Sequence, residues 1–198
     1  MYKAIIFDAD GMIIHGERFS KRLEEEFGIT RETTSPFMDS GKFQLCLTGK
    51  ADLKDELANV IKDWGWKGTV DDLLEYWFSE KHNVIDERFL PIIRDLRDKG
   101  IRCFLASNNE KYRTNNLINE RGLGAWFDKF FSSAFIGFKK PEREFFEAIF
   151  KELPSLKKDA VLFWDDDPKM LKAPKNSACP RNFTPILNLF EPKYQNLA

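Results

Sequence analysis

Residues 4–11 read Ala4-Ile5-Ile6-Phe7-Asp8-Ala9-Asp10-Gly11: four apolar residues in a row, then an abrupt acidic turn. A strand with one wet face would alternate apolar and polar residues. An unbroken apolar run suits a strand buried on both faces, as in a parallel sheet. Three more stretches share this character. Residues 101–106 (I-R-C-F-L-A) follow an amphipathic segment, 89–99, with Phe89, Ile92, Ile93 and Leu96 on one face. Gly100 then sits where a helix-ending glycine is expected. Residues 130–135 and 160–164 are the other two candidates, and Phe145, Phe146, Ile149 and Phe150 mark a helix between them, after Pro141. Alternating strand and helix predict an α/β fold with a doubly wound, Rossmann-like parallel sheet.

Residues 15–86 break that alternation. Their apolar stripes are helical: Phe19, Leu23 and Phe27; Leu53, Leu57, Val60, Ile61 and Trp64; Leu73, Leu74, Trp77 and Phe78. No strand is apparent between them. The expected organisation is an α/β core built from 1–14 and 87–198, with a small α-helical domain, 15–86, inserted after the first strand.

Composition narrows the function classes. The chain has 198 residues, 42% of them hydrophobic and 19 of them Phe, enough to fill a core and too much for a disordered chain. Its 31 basic and 32 acidic residues are interspersed, and without a basic block nothing points to a nucleic-acid partner. Cys46, Cys103 and Cys179 are odd in number and unrelated in spacing, which argues against a disulfide framework or zinc site and for a reducing compartment. Asp8 and Asp10 interrupt the apolar start too early for a signal peptide, and no other run is long enough to span a bilayer. The expectation is a cytoplasmic protein with no membrane partner, a monomer or weak homodimer.

In an open parallel sheet, ligands bind beyond the carboxyl ends of the strands. The first candidate strand ends at Asp8-Ala9-Asp10-Gly11 and the second at Ser107-Asn108-Asn109. The third is followed by Gly137-Phe138-Lys139-Lys140-Pro141, and the fourth ends at Asp165-Asp166-Asp167-Pro168. Taken singly, these are ordinary features: a turn, a helix cap, a solvated lysine and an acidic helix start. Together they bring carboxylates to one rim, where like charges repel and raise each other's pKa. A hard cation with oxygen ligands relieves this, and Mg²⁺ suits a site whose shell is completed by substrate phosphate oxygens. Lys140 and the Ser107 hydroxyl would face that anionic substrate. Such a set meets the needs of phosphoryl transfer through an acyl-phosphate.

From residue 1 to about Lys169, these stretches resemble the four signature motifs of the haloacid dehalogenase-like hydrolase superfamily. F-D-A-D-G is similar to its first motif, S-N-N to the second, G-F-K-K-P to the third and F-W-D-D-D-P to the fourth. The resemblance implies Asp8 as nucleophile and Asp10 as acid for the leaving oxygen, then as base for water. It implies Ser107, Asn108 and Lys140 as substrate-binding residues. It also implies Mg²⁺ held by Asp8, the carbonyl of Asp10, Asp166 directly, and Asp165 directly or through water. The helical insertion resembles the cap that family members carry after the first motif, which excludes bulk water and favours small phosphorylated substrates. Trp64, Trp66, Trp77 and Phe43 could contact substrate but are expected mostly as cap core; His15 could reach the cleft but is expected as a loop residue.

Dehalogenases of this superfamily lack the second aspartate of motif one, so Asp10 favours phosphate-ester hydrolysis. A dehalogenase, a phosphomutase and a catalytically impaired binding protein are the alternatives. Met12 stands where Thr or Val is commoner and reads as packing variation.

After the fourth motif the resemblance fails. The family continues with a helix of the kind N-V-E-x-A-x-x-x-G-M and a last strand, whereas 170–198 contains Pro174, Pro180, Pro185 and Pro192 and no helical stripe. A divergent extended tail and a reading-frame shift both fit. The shift would cost the sheet its last strand and leave 161–164 less well covered, with weak stability as the result. Taking the last base of each codon from Lys169 onward with the first two of the next, synonymous codons exist that spell N-V-E-G-A-K-E-L-G-M. The source DNA is expected to carry that string. Sequencing it checks this, and codons that cannot yield the string would exclude a frame shift.

Overall fold

The computed structural model describes residues 2–167 and a short strand at 183–184. The main sheet has five strands in the order β5-β4-β1-β6-β7: β1 Ala4–Phe7, β4 Arg102–Ser107, β5 Lys129–Ser132, β6 Val161–Trp164 and β7 Phe183–Thr184. Every pairing in it is parallel, so all carboxyl ends meet one edge. β1 lies at the centre, with Phe7 level with Leu105 on one side and Trp164 on the other.

That central place explains the unbroken apolar run. Ile5 and Phe7 point into a core shared with Phe89, Ile93 and Leu96 of helix α6 (Phe89–Asp98). Ala4 and Ile6 point to the opposite face, against Phe145, Phe146 and Ile149 of helix α9 (Arg143–Glu152). Both faces are covered, so a polar residue at any of the four positions would be buried without a partner. Met12 is fully buried in the first of these cores.

Between β1 and α6 lie helices α1 Phe19–Phe27, α2 Arg31–Met38, α3 Gly41–Leu47, α4 Leu53–Ala58 and α5 Val70–Phe78. They enclose a core of their own, including Leu23, Phe37, Leu57, Trp64 and Leu73. The expectation of no strand here is corrected. β2 (Ile14–His15) and β3 (Val84–Ile85) pair antiparallel where the chain leaves and rejoins the sheet. Two-residue strands carry no alternation, so sequence pattern does not reveal them.

Other expectations are also corrected. Phe27 is half-exposed, edge-on to Trp66 and Tyr76, because the buried side of α1 is completed by Phe19 and Leu23. The stripe to Trp64 is helical only to Ala58; Ile61 and Trp64 reach the same core from turns. No apolar stripe marks α2 and α3 in the sequence, although the Thr30 and Ser40 side chains cap their first turns.

The third strand stops at Ser132 rather than Phe135. The Ser132 hydroxyl accepts the Ala134 N–H and starts a helical turn, α8 (Ser133–Ile136). The sheet also keeps a fifth strand, since β7 pairs with the outer edge of β6. Val161, Leu162, Phe163 and Trp164 are all buried. The rest of the tail, and with it the reading-frame question and Cys179, lies outside the described residues. Among the described residues, no helix is long and apolar enough to cross a membrane.

Candidate active site

Asp8 follows β1 directly and is buried. Its Oδ1 accepts the Ala9 N–H and the Lys140 ammonium, each at 2.7 Å. The same Lys140 Nζ donates to Asp165 Oδ2 at 2.7 Å, and Asp165 Oδ1 accepts the N–H of Asp167 at 2.9 Å. Lys140 is 7% exposed and Asp165 4%, so this cation is shared by two carboxylates almost out of water. The adjacency of β1 and β6 sets the spacing, because Asp8 and Asp165 each follow paired residues Phe7 and Trp164.

Lys140 sits in the loop before α9, and Asn108 fixes that loop. Its Nδ2 donates to the Lys140 carbonyl at 2.9 Å while its Oδ1 accepts the Lys140 N–H at 2.7 Å. The Asn108 side chain, expected on the substrate, is thus engaged with backbone. Ser107 is buried, and its Oγ accepts from Asn109 Nδ2 at 2.7 Å. Asn109 Nδ2 also donates to Asp10 Oδ2 at 2.8 Å, which links the ends of β1 and β4. Asp10 keeps a half-exposed side chain whose Oδ1 accepts from Arg113 Nη2 at 3.1 Å.

Asp166 approaches the turn after β1. A Cβ on Gly11 would lie 2.2 Å from Asp166 Oδ2, and Gly11 has φ +84°. Only glycine satisfies both the left-handed turn and the close carboxylate. Oxygens of Asp8, Asp165 and Asp166 come within 4.8 Å of one another.

Burial dominates the electrostatics here. It pushes the Asp8 carboxyl up to about 7, against the pull of Lys140 and with reinforcement from Asp165. Asp166 stays exposed to solvent, yet partial desolvation, then Asp165, raises it too. Burial alone would lower Lys140, but Asp8 and Asp165 outweigh it and hold the ammonium above its ordinary value.

Asp8, Lys140, Asp165 and Asp166 therefore meet in one place, with Asp10 and Ser107 joined to each other through Asn109. His15 instead faces Asp86, 3.7 Å away. Trp64 is buried in the helical core, Trp77 stacks on Phe19 at 4.1 Å, Phe43 lies beside Trp77, and Trp66 lies beside Tyr76. Sequence reasoning missed Arg113. An arginine on a short helix is ordinarily solvated, and no local pattern marks this one as buried.

A family model described as haloacid dehalogenase-like hydrolase matches residues 2–177. The chain belongs to the haloacid dehalogenase-like hydrolases. It is 22% identical over 181 residues to YfnB of Bacillus subtilis strain 168, which carries the name HAD-hydrolase; the match spans 83% of this chain and 76% of that one. Among solved structures, a HAD family enzyme of Bacteroides thetaiotaomicron in complex with magnesium and inorganic phosphate is similar at TM-score 0.76 and 18% identity, over 93% and 94% of the two chains. The L-2-haloacid dehalogenase of Xanthobacter autotrophicus, with chloropropionic acid covalently bound, is similar at 0.64 and 15% identity over the whole of both chains. Likeness at these identities establishes the haloacid dehalogenase-like fold: a Rossmann-like parallel sheet with flanking helices.

Proposed function

We propose that this hydrolase cleaves a small phosphorylated metabolite through an aspartyl-phosphate on Asp8, with Mg²⁺ as cofactor. The observation that carries this reading is the buried Asp8–Lys140–Asp165 triad with Asp166 beside it. With all three carboxylates ionised, one ammonium leaves two negative charges uncompensated. Oxygens of the three lie close enough together for one hard divalent cation. Asp8, Asp165 and Asp166 would hold it, with the Asp10 carbonyl as the expected fourth ligand. When bound, it would neutralise charge on the transferring phosphoryl group.

The chain's own groups do the rest. Asp8 Oδ1 is occupied by Ala9 and Lys140, and Oδ2 is the oxygen we assign to the attack. It bonds to phosphorus as the ester P–O bond breaks, and Asp10 gives its proton to the departing oxygen. Water then attacks the same phosphorus, Asp10 takes a proton from it, and the bond to Asp8 breaks. Lys140 steadies the charge on Asp8, and the Ser107 hydroxyl donates to a phosphoryl oxygen.

The helical unit, 15–86, acts in this reading as a cap that keeps out bulk water. Its supports are polar contacts to the loops of the site: Gln44 to Lys139, Asp52 to Lys111 and Tyr112, and Asn83 to Arg113. Asp10 favours a phosphatase over a dehalogenase, because an alkoxide needs a proton to leave and a halide does not.

Two outcomes are expected. Asp8→Asn lowers Mg²⁺-dependent hydrolysis of an aryl phosphate by on the order of 10⁴-fold or more; hydrolysis that survives this change removes Asp8 as nucleophile. The second concerns metal affinity. Asp8 is raised to about 7, and a proton on it competes with the cation. Calorimetric titration between about pH 5.5 and pH 8.5 should show Mg²⁺ binding weakening up to about tenfold per unit as pH falls below about 7, and levelling off above it. A pH-independent affinity would show that no ligand takes up a proton in this range and would contradict a metal-binding Asp8 raised to about 7.

A further inference from the structure

Arg113 has no assigned role, yet its side chain is 7% exposed and ends on Asp10. It stands on helix α7 (Lys111–Asn115), whose first N–H groups, on Tyr112 and Arg113, are accepted by the Glu110 carboxylate. Just beyond, the backbone widens into a π-helical turn, Asn116–Glu120. Such turns recur at functional sites.

The guanidinium is held on three sides. Its Nη2 donates to Asp10 Oδ1 at 3.1 Å and to Asn83 Oδ1 at 3.2 Å. Its Nη1 reaches Asn116 Oδ1 at 3.4 Å. The Phe78 ring, from the end of α5, lies 5.5 Å from its central carbon. Neither amide can turn its oxygen away without cost. Asn83 Nδ2 donates to the carbonyls of Trp77 and Ser79, at 2.8 and 3.1 Å, and Asn116 Nδ2 to Glu120 at 2.6 Å. Each oxygen is therefore directed at the arginine. Arg121 Nη1 in turn donates to the Asn83 carbonyl at 2.9 Å and fixes the backbone there.

Asp10 is thus gripped from two directions. Asn109, on the sheet side, holds Oδ2; Arg113, anchored by residues returning from the helical unit, holds Oδ1. A half-exposed carboxylate on a turn would otherwise sample several rotamers. We infer that Arg113 is a positioning residue: with Asn83 as its anchor, it fixes the side chain of Asp10 for proton transfer. This rests on the phosphatase reading, in which Asp10 is the acid and base. Arg113 acts through Asp10 and takes no part in the transfer to or from phosphorus itself.

The test compares Arg113→Gln, Arg113→Lys and Asn83→Ala with wild type, using an aryl phosphate with saturating Mg²⁺. Loss of the grip should lower kcat of Arg113→Gln by about 100-fold, as expected for a catalytic group displaced by about an ångström. KM should stay within about a factor of two, since uniform binding is untouched. Arg113→Lys should recover part of the loss, and Asn83→Ala should show a smaller fall in kcat alone. A purely structural role would instead lower the folded fraction and leave kcat per folded molecule unchanged, which overturns the inference. Should Arg113→Gln not fold, wild-type kcat in both other variants overturns it. A crystal structure of Arg113→Lys or Asn83→Ala gives a readout without turnover: a displaced Asp10 carboxylate supports the inference, and an unmoved one in both contradicts it. Hydrolysis unaffected by Asp8→Asn would sink the phosphatase reading separately, whatever these variants do.

Discussion

One buried ammonium, the Nζ of Lys140, lies between the carboxylates of Asp8 and Asp165, and much of the site is arranged around it. Taking such ions out of water costs several kcal/mol each, offset only by close and fully hydrogen-bonded partners. The sheet supplies two of them, since β1 and β6 are neighbours and release their chains side by side. Asn108 supplies the third constraint by binding both backbone groups of Lys140, so the lysine cannot drift without breaking two hydrogen bonds. The triad is weak evidence of stability. It is better understood as charge held in place at a cost, which other elements of the fold meet.

The helical unit adds a second layer. Several of its polar ties fall on residues next to the site: Lys139 adjoins Lys140, and Lys111 and Tyr112 adjoin Arg113; Arg121, farther along, binds Glu80 and the Asn83 carbonyl. In the proposed reading of this unit as a cap, the same contacts would close the mouth and set its geometry. The core aromatics of the unit pack mainly on one another.

Much of this was legible in the sequence, for a definite physical reason. A strand buried on both faces has no freedom to carry polar residues, so 4–7 and 161–164 announced themselves, and polar residues clustered just past their ends stood out. The carboxylates, the lysine and the serine stand out on this ground. Features that depend on a few hydrogen bonds were not legible. The ribbon of Ile14–His15 with Val84–Ile85 is too short to show a period. The end of β5 is set by one serine hydroxyl. The engagement of Asn108 with backbone and of Arg113 with Asp10 joins residues 32 and 103 positions apart, and no local pattern encodes that. Phe27 shows the converse error, an apolar residue in phase with its helix yet half in water.

In the proposed mechanism Asp8 becomes covalently phosphorylated during turnover. Rapid acid quench of the enzyme with an aryl phosphate and Mg²⁺, followed by peptide mass spectrometry, tests it most directly. One added phosphoryl group is expected on the peptide that contains Asp8, appearing before free phosphate reaches its steady rate. Turnover with no phosphoryl group on that peptide, or with the group on another residue, would contradict it.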